Sequence, residues 1–183
     1  MQYEPTWLEV LLTKIAFLFY GKSVYKTFAD RLPLLGHERV LDFGCGMGTV
    51  AYYTSKRLNH GDLTCLDISR RWLKACRKTL RGCGNVSYLR AEAQELAEDS
   101  FDVIYCHFVL HDISERDLEI VVAALVKALK AGGSFIFREP LNEAEKLNAI
   151  KELMDHGTLF LKDSRITDVP LMGNALESIY IKL

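Results

Sequence analysis

The residues best suited to chemistry lie in the run Val40-Leu41-Asp42-Phe43-Gly44-Cys45-Gly46-Met47-Gly48 and in Asp67, nineteen residues past its last glycine. Apolar residues followed by glycines read as a buried parallel strand and a tight turn into a helix. Glycine is needed where a ligand must touch backbone, because a side chain would stand in the way. Asp67 closes a second strand, Asp62 to Ile68, where a carboxylate can accept hydrogen bonds from the vicinal hydroxyls of a ribose. Together they imply a nucleoside-containing cofactor lying across the ends of two neighbouring strands.

Departures from the dinucleotide fingerprint narrow the choice. That fingerprint wants a further glycine where this chain has Thr49, and here Gly44, Gly46 and Gly48 alternate behind an acid, Asp42. A pyrophosphate gains nothing from an anion beside it, whereas a ligand carrying an ammonium and a sulfonium does. The segment resembles motif I of the class I methyltransferases that use S-adenosylmethionine. The resemblance implies that Gly44 and Gly46, with Cys45 between them, approach the methionine part of the cofactor, and that Asp42 lies near its amino group. It also implies that Asp67 holds both ribose hydroxyls, that Ile68 covers adenine, and that Glu92 faces the adenine amino group. Ala93 and Cys106 complete the expected cofactor lining.

On the substrate side, the fourth strand ends in Tyr105-Cys106-His107-Phe108-Val109-Leu110-His111-Asp112. A histidine just past a strand end can take a proton from a hydroxyl near neutral pH. The string Leu110-His111-Asp112, followed by Ser114-Glu115, resembles the small-molecule O-methyltransferases. In those enzymes the histidine is the general base, and Glu139 falls where a glutamate orients it. The large N-terminal dimerisation domain that usually accompanies that version is not seen in this sequence, and in many class I members the histidine only shapes the pocket. His107 and His111 are four apart, but no third ligand is spaced to join them, so no metal site is expected.

The elements that must position these residues alternate at βαβ spacing, which argues for a mostly parallel sheet. Strands are expected at Arg39 to Phe43, Asp62 to Ile68, Val86 to Arg90, Phe101 to His107 and Ser134 to Glu139. Helices are expected from Thr49 to about Leu58, after an N-cap at Ser69, from Ser114 to Lys130, and from Asn142 to about Asp155. Gly132-Gly133 should stop the third of these. The tail reads as an antiparallel hairpin, Leu159 to Val169 and Leu176 to Leu183, around Pro170 to Asn174. This pattern matches the α/β, Rossmann-like three-layer sandwich with a seven-stranded sheet of the resembling family. One domain spanning residues 1–183 is expected, with residues 1–30 forming helices that cover the site.

Composition bounds the rest. The chain has 183 residues, 49% of them apolar, and a formal net charge of −1, so the molecule as a whole has no pull on nucleic acid or anionic membrane. Five cysteines without CxxC spacing imply neither a zinc site nor a disulfide framework, and place the chain in a reducing cytoplasm. The start lacks the basic region of a signal peptide. The apolar stretch Trp7 to Tyr20 is too short to span a bilayer, which needs about twenty residues. It reads as an amphipathic helix packed on the domain, as a lid, or as a helix resting on a membrane without stable insertion. The basic residues Arg70, Arg71, Lys74, Arg77, Lys78 and Arg81 share one helix face, read as solvated or as a surface for an anionic partner.

Taken together, the expectation is transfer of a methyl group from S-adenosylmethionine to a small-molecule acceptor, releasing S-adenosylhomocysteine. A hydroxyl acceptor would use His111 as base. No nucleic-acid substrate is expected, because the loop after the fourth strand lacks an Asp/Asn-Pro-Pro-aromatic signature and no proline precedes a cysteine. A homodimer is left open. The alternatives are a non-catalytic cofactor-binding partner and a nicotinamide oxidoreductase.

Overall fold

The computed structural model describes residues 4–155, 158–170 and 172–183. Met1–Tyr3, at a start expected to lack a signal peptide, and Leu171, inside the expected hairpin turn, lie outside the described residues. The chain forms two compact units, Met1–Glu92 and Ala93–Leu183.

In the first unit, helix α1 (Trp7–Tyr20) begins with a capping box between Thr6 and Glu9. It continues through a wide π-helical turn at Gly21–Lys26 into α2 (Thr27–Arg31). Strand β1 (Arg39–Phe43) pairs in parallel with β2 (Asp62–Leu66), and β2 with β3 (Val86–Leu89). The register sets Phe43 beside Leu66 and Leu66 beside Leu89, so Gly44, Asp67 and Arg90 leave the sheet at one edge. Helix α3 (Ala51–Thr54) is shorter than expected, closing in a 3-10 turn at Ser55–Arg57. Helix α4 (Arg70–Thr79) starts where its cap predicts: the Ser69 hydroxyl accepts from the Trp72 amide at 3.0 Å.

The second unit holds β4 (Phe101–His107), α5 (Glu115–Ala128), β5 (Leu129–Pro140), α6 (Ala144–Asp155), β6 (Leu159–Val169) and β7 (Gly173–Lys182). β5 runs parallel to β4 and antiparallel to β7, and β7 pairs antiparallel with β6. The strands form a seven-stranded sheet in the order β3-β2-β1-β4-β5-β7-β6, the methyltransferase variant of the Rossmann-like fold. α5 ends at Ala128 rather than Lys130, and Gly132-Gly133, read as a helix stop, lie inside β5. Gly132 has φ of 75°, and a Cβ on Gly133 would come within 2.8 Å of the Lys130 carbonyl oxygen. The two glycines accommodate a register shift between Phe101 and Val103 of β4 against β5.

A row of charge crosses the second unit. Arg138 pairs in register with His107 on one side and Glu177 on the other, and Glu177 pairs in turn with Arg165. Arg138 donates through Nε at 3.0 Å and through a second guanidinium nitrogen at 2.6 Å to Glu177, and Arg165 lies 3.0 Å from the same carboxylate. Arg138 and Glu177 are both buried. Burial holds His107 well below the usual histidine value, reinforced by the Arg138 charge, so His107 belongs to this neutralised row. Removing one partner of a buried ion pair strands the other charge, at about 3–5 kcal/mol. Glu177→Ala is therefore expected to lower the unfolding free energy by about that amount in urea titrations.

Candidate active site

The glycine turn is held by two acceptors at the end of β2. The Leu66 carbonyl accepts from the Gly44 and Cys45 amides at 2.9 and 3.0 Å. The Asp67 carboxylate accepts from the Gly46 amide at 2.9 Å on one oxygen and from the Ser69 amide at 2.8 Å on the other. Gly44, Gly46 and Gly48 all have φ between 51° and 77°, the left-handed region. They are glycines for different reasons. A Cβ on Gly46 would meet nothing within 4 Å, so its backbone borders open space. A Cβ on Gly48 would sit 2.7 Å from the Cys76 sulfur, so there the glycine lets the turn pack on α4.

Burial pushes the Asp67 carboxyl up to about 6, against the two amides that favour its charged form. Asp42, at the end of β1, is also buried. A ligand with hydroxyl donors and a cationic amine matches these acceptors: two buried acids beside a turn whose Gly46 backbone faces open space. Ile68 and Glu92 are exposed at the ends of β2 and β3. The Ile68 carbonyl accepts from Arg90 Nε at 3.0 Å, which fixes the loop that follows Asp67.

Two features of this half escape sequence spacing. Glu4 accepts from the Ser69 hydroxyl at 2.8 Å and from the Arg70 and Arg71 amides at 2.9 and 3.2 Å, so the N-terminal strap caps α4. These bonds, the Ser69 hydroxyl's first, hold the Glu4 carboxyl below its usual value. The sulfurs of Cys45, Cys65 and Cys76 come within 4.8 Å of one another, and all three are buried. They lie far apart in sequence and meet only by folding. They supply three donors, and no fourth of the metal-ligating types joins them among the described residues.

In the second unit, Ala93 opens a 3-10 turn and Cys106 is fully buried in β4. The chain leaves β4 through Phe108, whose φ of 58° is unusual for a bulky residue and whose amide donates to the Arg138 carbonyl at 2.9 Å. This bend delivers a 3-10 turn, Leu110–Asp112, that carries His111. Glu139, fully buried in β5, accepts from the Val109 and Leu110 amides at 3.0 and 2.8 Å and, at 3.4 Å, from that of His111. The oxygen that takes the His111 amide, not the one that takes the other two, also lies 2.5 Å from His111 Nδ1. Nδ1–H donating to this carboxylate leaves Nε2 as the basic nitrogen. Burial alone would lower the His111 pKa, but the hydrogen bond and charge of Glu139, with Asp112, raise it above the usual value.

With fold and site in hand, a model of the methyltransferase domain family matches residues 40–133, just over half of the chain. The chain belongs to this family of class I methyltransferases, whose methyl donor is S-adenosylmethionine. Its relatives include the ubiquinone/menaquinone biosynthesis C-methyltransferase UbiE of Wigglesworthia glossinidia brevipalpis. The two are 28% identical over 152 residues, covering 78% of this chain and 55% of that protein. UbiE of Shewanella halifaxensis is 31% identical over 139 residues, covering 69% of this chain and 55% of its own. The chain thus spans about half the length of these relatives. A crystal structure of a methyltransferase dependent on S-adenosylmethionine from Aquifex aeolicus superposes with TM-score 0.70 at 18% identity, covering 94% and 97% of the two chains, and shares the fold.

Two measurements test these halves. A carboxylate accepts from two hydroxyls best when ionised, so if Asp67 holds the ribose as the family resemblance implies, affinity for S-adenosylmethionine should fall as pH drops through about 6. Titration calorimetry is expected to show about tenfold weaker binding at pH 5 than at pH 7.5, and at least that loss in Asp67→Ala at pH 7.5. In the second unit, Glu139→Gln should lower the pKa of His111, read by NMR titration of its ring protons.

Proposed function

We propose that the chain transfers a methyl group from S-adenosylmethionine to a small-molecule acceptor and that His111 removes the acceptor's proton. The observation that carries this is the His111–Glu139 pair: a buried carboxylate on Nδ1 fixes the tautomer and leaves Nε2 to act. When bound, the cofactor supplies an electrophilic methyl group on a sulfonium. The chain's own task is alignment and the exclusion of water. Asp67 accepts from the ribose hydroxyls, while Gly44, Cys45 and Gly46 border the methionine part near Asp42. Ile68 and Glu92 border the adenine, and Ala93 and Cys106 complete the cofactor lining.

A hydroxyl on the acceptor would give its proton to His111 Nε2, leaving its oxygen to take the methyl group or to make an adjacent ring carbon nucleophilic; a methylated ring carbon would then lose its own proton to restore the ring, and S-adenosylhomocysteine would leave in both cases. The relatives are named as C-methyltransferases, which favours carbon as the atom methylated. Either way the same proton reaches the same nitrogen. The two units work as one methyltransferase domain in this reading, with residues 1–30 as its cover. Five free cysteines agree with a reducing compartment.

The exposed apolar face of α1 favours a second reading, a cofactor-binding partner without turnover. A screen of hydroxylated aromatic acceptors for S-adenosylhomocysteine release separates the two. Methyl transfer is expected, with kcat rising as pH passes upward through a value above 6.5, where His111 loses its proton. His111→Ala should lower kcat by about 10²-fold or more while cofactor affinity holds. Tight cofactor binding with no product from any acceptor would favour the second reading.

A further inference from the structure

Helix α1 is amphipathic the wrong way round. At about 100° per residue, Trp7, Leu8, Leu11, Leu12, Leu18 and Phe19 fall within an arc of roughly 140°. That arc faces solvent: Trp7 is 68% exposed, Leu18 72% and Phe19 78%. The opposite face looks inward, where Phe17 packs edge-on against Tyr25, Tyr52 and Tyr53 and the Thr13 hydroxyl donates to the Glu9 carbonyl. A surface helix of a soluble protein ordinarily presents the reverse. Clustered exposure of this kind marks an interaction site.

Charge indicates what covers it. The near-neutral total hides an uneven division: residues 1–92 hold fourteen lysines and arginines against eight aspartates and glutamates. Three of those acids, Glu38, Asp42 and Asp67, are buried, so the surface of this unit is more basic than the count suggests. Arg70, Lys74 and Lys78 stand exposed on one face of α4, with Arg81 just beyond it. Arg71 joins this face to α1: its guanidinium donates to the Pro5 carbonyl and lies 5.1 Å from the Trp7 ring centroid. An apolar face with tryptophan at one end thus borders a basic one.

We propose that α1 and the basic face of α4 form a docking surface for an anionic lipid bilayer. Neither feature is matched as well by another partner. Nucleic acid would use the basic face but leave an aliphatic helix wet, whereas a second copy of this chain would set basic face against basic face. A bilayer interface takes both at once, with leucines in the acyl boundary, tryptophan at headgroup level and cations on the anionic heads. α1 lies in that plane rather than across it, since no helix among the described residues is long and apolar enough to cross a membrane. The inference stands apart from the methyl-transfer reading.

Co-sedimentation of the purified protein with phosphatidylcholine vesicles, with and without about 30% phosphatidylglycerol, tests it. Partitioning into the anionic vesicles is expected, weakened by salt, with a blue shift in tryptophan emission that Trp7→Phe removes. Leu11→Glu/Leu18→Glu should lose more than tenfold in partitioning with an unchanged circular dichroism spectrum. Lys74→Gln/Lys78→Gln should lose about tenfold or more on anionic vesicles, since each cation near such a surface is worth about fivefold. The proposal fails if anionic vesicles capture nothing at low salt, or if the Leu11/Leu18 variant binds like the parent. It fails equally if sedimentation velocity shows a dimer that the Leu11/Leu18 substitutions dissolve, or if RNA is held more tightly than vesicles and just as well by that variant.

Discussion

The Asp67 carboxylate takes the Gly46 amide on one oxygen and the Ser69 amide on the other, and through these two bonds the end of β2 grips both the glycine turn and the start of α4. The left-handed turn at Gly44, Gly46 and Gly48 exposes donors that an ordinary turn would bond internally, and the acid gathers one of them. Glu4 then caps the same helix start from outside, through the Ser69 hydroxyl and two further amides. Geometry for a ligand is thus fixed by backbone donors on acids, which tolerate little displacement.

The same device recurs. Glu139 gathers three amides of the turn that carries His111, and Glu38 accepts from the Leu35 and Gly36 amides ahead of β1 at 2.6 and 2.9 Å. For Glu38, burial would raise the pKa, but its amide bonds prevail and hold it low. Each acid sits where a chain enters or leaves a parallel strand, and there amides point past the last ladder bond. Glu139 does one thing more than Glu38. One of its oxygens takes the Val109 and Leu110 amides and the other takes the His111 amide and faces His111 Nδ1, so the residue that builds the loop also sets the tautomer of that imidazole.

Much of this was legible in the sequence, and the exceptions share a cause. β1, β4 and β6 begin and end at the expected residues, and Ser69 caps the helix it was expected to cap, because apolar runs and caps are local signals. The pairing of His111 with Glu139 was legible through family resemblance, not through spacing. Glu4, the three clustered thiols and the Arg138–Glu177–Arg165 row were not, since each depends on residues brought together by the fold. Gly132-Gly133 misled because a glycine pair stops a helix and relieves a strand with the same ease. For α1 the periodicity names the apolar face but carries no information about which way it points.

A buried acid without a counter-cation exacts a cost that explains why such a site is shaped for a ligand. The folded-state pKa of Asp67, about 6, lies above the value of an exposed aspartate, near 3.8. The stabilisation linked to its proton is complete below the lower value and lost as pH rises through the higher one. At neutral pH Asp67 therefore holds a charge that its burial disfavours. Hydroxyl donors reverse that balance, because they favour the ionised form that burial disfavours. The ligand that brings them recovers free energy the folded chain gave up, and the fold gains most where the ligand binds. Asp67 is in this sense both a constraint on the glycine turn and a charge that burial disfavours, a combination expected at functional sites.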